Sequence, residues 1–194
     1  MERTTKTACR RMGALWLAGG AMWLAVGATG GGQHGWRFDA QEALWIMADL
    51  LLLAGLLGLR QLRPYGGSRL GDVGMGIAIA GRLVFIAAEV LSLVQHTDEN
   101  PLLPLGAVLS AIGMVALGVA VARAGVWTGI SRFGPLAMGL YPFVVMFPLL
   151  AASGGSPPLA AIACWGLGAV VVGASVLAQA RGSAGARAAN FAAN

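Results

Sequence analysis

Long apolar runs separated by short clusters of charge dominate this chain. Three runs, at residues 12–36, 100–122 and 133–180, contain no Asp, Glu, Lys or Arg. A membrane-spanning helix needs about 20 mainly apolar residues, so the last run is long enough for two. A Ser/Gly/Pro-rich turn at residues 153–158 divides it. The pattern predicts six spans, at residues 12–30, 42–59, 72–95, 102–122, 134–152 and 158–180.

The spans should be helical, because a lipid core cannot satisfy the hydrogen bonds of an open backbone. The connecting segments are short and leave no room for a soluble domain. The sequence therefore predicts an all-α fold, a polytopic membrane protein with a single domain over residues 1–194. A basic N-terminal tail at residues 1–11 and a C-terminal tail at residues 181–194 flank it.

Basic residues are concentrated on one side of the predicted spans, and they indicate the orientation. Cytoplasmic loops of membrane proteins carry an excess of Arg and Lys, and the opposite side here holds only Arg37. Both termini are therefore predicted to be cytoplasmic. The eleven residues on the basic side are Arg3, Lys6, Arg10, Arg11, Arg60, Arg63, Arg69, Arg123, Arg132, Arg181 and Arg187.

The first span has an alternative interpretation. Arg10 and Arg11, an apolar stretch and the small residues at 26–28 also fit a cleaved signal peptide. Cleavage would leave five spans with unchanged loop orientation. The apolar stretch is long for a signal peptide, which favours a span.

Composition agrees with a bilayer environment. Of 194 residues, 57% are hydrophobic and 11% are charged, against about 25% charged in soluble domains. This excludes a soluble enzyme with a polar surface and a disordered chain. The net charge of +5 lies in loops, so we expect the lipid bilayer as partner and no nucleic acid. The Ala, Gly and Arg content indicates a high-GC genome, and we expect a bacterial cytoplasmic membrane.

Motifs for enzymatic chemistry are missing from the sequence. It contains no His-Glu-x-x-His, Cys-x-x-Cys, Walker or Gly-x-Ser-x-Gly motif. Cys9 and Cys164 have no metal-ligand spacing and lie far apart in the predicted topology. We therefore predict no catalytic centre, no metal and no cofactor.

Ionisable residues inside predicted spans are the strongest functional signal, because they are costly in lipid. Asp49 lies in the second span, with Arg82 and Glu89 in the third. At about 1.5 Å rise per residue, the two carboxyls lie at similar depth, and Arg82 is about two turns deeper. Ser92 and His96 continue the Arg82–Glu89 face outward. The five residues form a predicted intramembrane polar cluster.

Two functions fit this cluster. Neighbouring carboxyls can share one proton, and an arginine keeps the second ionised, which is typical of a proton-linked or small-solute carrier or channel. Alternatively, Asp49 and Arg82 form a structural ion pair that sets how helices pack.

The fifth predicted span is broken by Pro142 and Pro148, each of which removes a helical hydrogen bond. Carbonyls freed near Met138 and Val144 could coordinate a cation or a substrate, as in broken transporter helices. Tyr141 is the neighbouring polar side chain. The alternative is that these prolines are merely tolerated.

Small residues suit close helix packing in the fourth and sixth spans. Gly106 with Ser110, and Ala169 with Gly173, follow the small-xxx-small pattern. Such faces could bind a second copy of the chain or another membrane protein, as in a scaffold or regulatory subunit. Residues 13–15 and 106–108 are similar and would make spans 1–3 and 4–6 inverted repeats, although chance similarity is the favoured interpretation.

The segment from Trp127 to Leu150 contains a recognisable apolar pattern: Trp127, Arg132-Phe133, Pro135-Leu136, Gly139-Leu140-Tyr141-Pro142 and Val145-Met146-Phe147-Pro148-Leu149. This pattern resembles one in small, uncharacterised six-span integral membrane proteins of high-GC bacteria. The resemblance implies membrane location and architecture, and it assigns no role to any residue. The leading prediction is thus a multi-pass membrane protein of unknown molecular role, without a catalytic centre.

Overall fold

The computed structural model describes residues 2–29, 35–97, 100–153 and 159–192, with side chains described for all of these except residues 2–6 and 180–192. Every regular element in these ranges is helical, so the predicted all-α class is confirmed. Five long helices are α1 (Glu2–Ala28), α2 (Trp36–Leu62), α3 (Arg69–Gln95), α4 (Leu102–Ala124) and α7 (Leu159–Ala192).

The remaining rod, between α4 and α7, is composite. It joins a 3-10 turn (Gly129–Phe133), α5 (Gly134–Tyr141), a π-helical turn (Pro142–Met146) and α6 (Phe147–Ser153). We call the whole of Gly129–Ser153 the fifth span. The dividing turn predicted at residues 153–158 lies outside the described residues after Ser153.

Five helices are long and apolar enough to cross a membrane: α2, α3, α4, the fifth span and α7 as far as Gln179. They are compatible with the predicted multi-pass membrane protein. The predicted first span is helical in α1 but is not among the five. Its helix includes Arg10 and Arg11, and its apolar part contains four glycines and two tryptophans, which contribute little hydropathy.

The helices extend beyond several predicted spans. The backbone of α1 begins at Glu2, and that of α7 reaches Ala192, so the two predicted tails continue helices as far as they are described. Residues 30 and 158, at the edges of two predicted spans, lie outside the described ranges.

The helices pack as a closed ring. Each contacts the next one in the chain, and α7 returns to pack along α1. Trp16, Trp23 and Trp45 are buried in the core. Trp127 is also buried, whereas Trp36 is 75% exposed.

Glycines allow the two closest pairings, α1 with α7 and α3 with α4. A Cβ added at Gly20 would lie 2.6 Å from the backbone oxygen of Gly166, and one at Gly113 would overlap the backbone of Ala78. Small residues at these sites let the backbones approach and gain dispersion energy, the main attraction between helices in lipid.

The small-residue faces predicted for partners lie inside these pairs. Gly106 packs on Phe85, and Ser110 packs on Gly81. In the other pair, Gly173 packs on Gly13, and Ala169 is fully buried. The chain's own helices therefore occupy both faces, which removes them as docking surfaces.

The two close pairs repeat one pattern of contacts. Gly20 of α1 meets Gly166 of α7, and a Cβ at Gly166 would reach Leu24. In the other pair, Gly74 of α3 takes the place of Gly166. A Cβ at Gly74 would reach the backbone of Gly113 and Leu117 of α4, which correspond to Gly20 and Leu24. The residues that contact these glycines also correspond, so the two helix pairs pack in the same register.

Helices α1–α3 and α4–α7 thus correspond to each other in how they pack. Each half contains three antiparallel rods, so the second is inverted relative to the first. The most closely packed interfaces, α1–α7 and α3–α4, correspond under this repeat, and so do the most loosely packed neighbours, α2–α3 and α5–α7. These contacts favour the inverted repeat over the chance similarity preferred from the sequence.

Candidate functional site

Asp49 and Arg82 form a buried ion pair in the middle of the bundle. Each lies at the midpoint of its helix, Asp49 on α2 and Arg82 on α3, and their side chains are 0% and 1% exposed. Arg82 Nη1 donates to Asp49 Oδ1 at 2.5 Å. Apolar surroundings strengthen such a bond but penalise any partner left alone.

A second donor, Trp23 of α1, reaches the same oxygen. Its indole Nε1 donates to Asp49 Oδ1 at 2.8 Å, so three helices meet at one carboxylate. Trp23 was not among the predicted members of the cluster. The available signal was that a buried indole N–H needs an acceptor, and the Asp49 carboxylate lies in the next predicted span along the chain.

Glu89 lies beside this pair, one buried carboxyl next to another. It is within hydrogen-bonding reach of Asp49 and close to Arg82. Asp49 Oδ2 and Glu89 Oε2 are both buried without a hydrogen-bond partner among the described residues. One proton held between the carboxyls would satisfy both oxygens.

Aromatic rings enclose the arginine. The guanidinium carbon of Arg82 lies 4.8 Å from the centre of the Trp165 ring and 5.8 Å from that of Phe85. Both distances allow cation–π attraction. Trp165 belongs to α7, so the second half of the molecule also contributes to the cluster.

Polar side chains continue from the cluster toward the end of the bundle where α2 begins and α3 ends, which we call the His96 end. Ser92 is buried there, and Asn100 Nδ2 donates to the backbone oxygen of Ala88 at 2.8 Å and to Ser92 Oγ at 3.5 Å. Glu42, seven residues before Asp49, is near enough to act electrostatically on Glu89.

Sequence reasoning missed Glu42, although its spacing was a signal. Glu42 and Asp49 are separated by seven residues, as are Arg82 and Glu89, so each pair shares a helix face. At the opposite end, where α2 ends and α3 begins, the cluster meets buried apolar side chains: Leu52, Leu56, Leu59, Met75 and Ala78. We call this the Tyr65 end.

His96 does not belong to the buried cluster, contrary to the prediction. It follows the last residue of α3 in a left-handed conformation (φ 50°), and its side chain is 69% exposed. Its Nδ1 lies 2.9 Å from Asp39 Oδ1 of α2. The prediction assumed that helical periodicity continues to residue 96, but α3 ends at Gln95.

The prolines of the fifth span produce a π turn rather than an open break. The Phe147 N–H donates to the oxygen of Pro142, five residues earlier. Pro142 cannot donate to Met138, but Trp165 Nε1 donates to the Met138 oxygen at 3.1 Å. This carbonyl therefore already accepts one hydrogen bond, and a cation or substrate would have to share it with Trp165.

The other residues named in this span are also structural or peripheral. The Tyr141 hydroxyl donates to the oxygen of Ala161 at 2.8 Å and ties the fifth span to α7. Pro148 lies exposed near the start of α6, and Val144 is exposed on the outside of the bundle. They lie apart from the polar cluster.

Comparisons with protein-family models, curated proteins and solved structures found no match to this chain. The fold alone defines its class, an all-helical protein with five helices apolar enough for a membrane. The buried cluster must therefore be interpreted from its own geometry.

Proposed function

We propose that this chain is a proton-linked carrier of the bacterial cytoplasmic membrane, in which Asp49 and Glu89 together hold the transported proton. The observation that carries this proposal is the pair of adjacent buried carboxyls, each with one oxygen lacking a partner. In this proposal the chain is not an enzyme and needs no metal or cofactor. Its lipid surroundings are its main partner.

Charge balance supports a single shared proton. With both carboxyls ionised and Arg82 charged, the buried cluster would carry one net negative charge, and an uncompensated charge in apolar surroundings costs several kcal/mol. One proton makes the cluster neutral. An ion pair that only fixes packing would need Asp49 and Arg82, whereas Glu89 adds a group that can gain and lose a proton.

The polar path supports access from the His96 end. Ser92 and Glu42 lie between the carboxyls and that end, while buried leucines and Met75 separate the carboxyls from the Tyr65 end. The arrangement therefore fits a state that exchanges its proton on one side only.

The inverted repeat supports a second state open to the other side. The loosely packed α2–α3 interface, which holds the cluster, has its equivalent in the α5–α7 interface of the inverted half. In carriers built from inverted repeats, rocking of one half against the other exchanges the accessible side. We therefore propose that this protein alternates access in the same way.

Six spans with both termini in the cytoplasm complete the proposal. α1 packs along the apolar part of α7, from the contact of Gly13 with Gly173 to that of Gly27 with Ala163, which supports α1 as the sixth span. The excess of basic residues in the loops supports a cytoplasmic position for the Tyr65 end. A scaffold function is less well supported, because the small-residue faces that suggested it are occupied internally.

Proton flux into proteoliposomes, followed with an internal pH dye, tests the proposal. We expect wild type to carry protons down an imposed gradient and Glu89→Gln and Asp49→Asn to fall to the level of empty liposomes. Asp39→Asn removes an exposed carboxyl from the same helix as Asp49 and should behave as wild type. If folded wild type carried no protons, or if Glu89→Gln kept full flux, the proposal would be wrong and the cluster would serve only helix packing.

Infrared spectroscopy tests the proton site without transport. A buried, protonated carboxyl has a C=O stretch that exchanges little with water. We expect this band at neutral pH in wild type and in Asp39→Asn, and its loss in Glu89→Gln. A spectrum unchanged by Glu89→Gln would contradict the shared proton.

A further inference from the structure

A second polar site lies at the Tyr65 end, independent of the buried cluster and of the proposed function. A pocket of about 430 Å³ opens there between the end of α2 and the start of α3. All of its lining side chains can form hydrogen bonds. We call it the arginine pocket, and it is lined by Arg60, Gln61, Arg63, Tyr65 and Asp72.

The floor of the arginine pocket is held in place by packing and hydrogen bonds. The Tyr65 side chain is buried, and its ring lies so close to Gly71 that an added Cβ would overlap it. Its hydroxyl donates to Asp72 Oδ1 at 2.9 Å. Ser68 Oγ accepts from the Gly71 N–H at 3.1 Å and caps α3, so the loop between the helices is fixed.

Arg63 holds an unfavourable backbone conformation at this site. It ends α2 in the left-handed region (φ 44°, ψ 55°), with its N–H bonded to the Leu59 oxygen at 3.1 Å. This conformation suits glycine and is unfavourable for a long side chain. Two glycines with positive φ, Gly66 and Gly67, follow in the same loop and allow the chain to turn. Reversal of the chain therefore does not explain why an arginine occupies position 63.

Both guanidinium groups act on the tyrosine at the floor. Burial raises the pKa of Tyr65, and the adjacent Asp72 raises it further, whereas Arg63 and Arg60 act in the opposite direction. Both arginines also line the pocket, so one ligand in it can meet both guanidinium groups. Two arginines and one aspartate line the pocket, so its lining has a net positive charge.

A phosphate group matches this arrangement. Guanidinium groups present several N–H donors in a plane and bind phosphate oxygens through paired, charge-assisted hydrogen bonds. Three exposed apolar residues of α2 and α3 lie within three positions of a pocket-lining residue, Leu57 at 45%, Leu70 at 41% and Val73 at 58% exposure. An acyl chain can lie against these side chains, whereas free phosphate would make no use of them.

We infer that the arginine pocket binds the phosphate of an anionic phospholipid headgroup at the surface of the membrane. Arg60 and Arg63 bind the phosphate oxygens, and Gln61 donates to the rest of the headgroup. The acyl chains follow α2 and α3 across Leu57 and Val73. Basic pockets between helices near the membrane surface suit such headgroups.

Thermal unfolding in detergent, with added lipid, tests the inference. We expect phosphatidylglycerol to raise the unfolding temperature of wild type more than phosphatidylcholine does, and inorganic phosphate to have little effect. The double variant Arg60→Gln/Arg63→Gln should lose the phosphatidylglycerol shift. Arg123→Gln removes an exposed arginine in the last turn of α4 and should keep it.

A glycine variant separates binding from folding. Arg63→Gly relieves the left-handed conformation, so without lipid it should unfold at or above the wild-type temperature, yet lose the lipid shift. A full shift in Arg63→Gly and in the double variant would overturn the site. If inorganic phosphate alone raised the unfolding temperature as much as phosphatidylglycerol, the ligand would be a free anion and the lipid assignment would be wrong.

Discussion

At the scale of single residues, one oxygen atom organises the centre of the molecule. Asp49 Oδ1 accepts from both Trp23 and Arg82, which ties together the first three helices. Burial of the charges opposes folding, and their mutual attraction offsets much of that penalty. The intact pair therefore contributes little to the net free energy of folding, whereas loss of one partner destabilises the protein strongly.

A double-mutant cycle measures this coupling. We expect Asp49→Ala or Arg82→Ala alone to lower the free energy of unfolding by about 3–5 kcal/mol, because each leaves a buried charge without its partner. The double variant should lose less than the sum of the two single losses. Denaturant unfolding in detergent provides the measurement, and simple additivity would show that the two side chains act independently.

The residue scale also shows which parts of the cluster the sequence could predict. Asp49, Arg82 and Glu89 were recognisable because an ionisable residue in an apolar span is rare. Trp23 and Glu42 were not, since a tryptophan is ordinary in a span and Glu42 lies at the predicted edge of one. His96 was misplaced, because helical periodicity cannot show at which residue a helix ends.

At the scale of the elements, glycine positions decide which helices approach most closely. The glycines of α1, α3, α4 and α7 that face a neighbour lie against its backbone. Other glycines are free of such contact: nothing in the described structure lies within 4 Å of a Cβ added at Gly76 of α3. The same residue type thus has different roles on one helix.

Alanine substitutions distinguish these roles. Gly113→Ala should destabilise the protein by about 1–3 kcal/mol, because its Cβ overlaps the backbone of α3 and the helices must separate. Gly76→Ala should be neutral or stabilising by up to about 1 kcal/mol, because alanine favours a helix. Thermal unfolding compares them, and equal effects would contradict close packing at Gly113.

The fifth span shows how an element can differ from its sequence signal. Two prolines predicted freed carbonyls available for a ligand. The π turn widens the helix at Pro142, and Trp165 from α7 takes the Met138 carbonyl. The proline positions in the sequence predicted the break in the helix. Only the packing of α7 shows that the Met138 carbonyl has a hydrogen-bond donor.

At the scale of the whole molecule, the inverted repeat relates the two halves through their closest interfaces. The cluster is not repeated: its charged groups come from α2 and α3, and the second half contributes the ring of Trp165. One half therefore supplies the charges, and the other encloses them. This asymmetry suits a pair of halves that move against each other around one proton site.

Topology is the prediction that belongs to the whole molecule. With six spans and both termini inside, green fluorescent protein fused to either end should fluoresce, and alkaline phosphatase fused to either end should be inactive in a bacterial host. A control fusion in the loop after α1 should give the reverse pattern. Loss of an N-terminal tag during export would instead indicate a cleaved first segment.

The sequence by itself determined the helical class, the approximate spans and the presence of charge within them. It could do so because insertion in lipid depends on apolar length and on the cost of each charged residue, which are local properties. The tertiary structure decided which groups meet: Trp23 at Asp49, Glu89 beside it and Trp165 at both Arg82 and Met138. Helix rotation sets these contacts, and uniformly apolar spans carry almost no periodic signal for rotation.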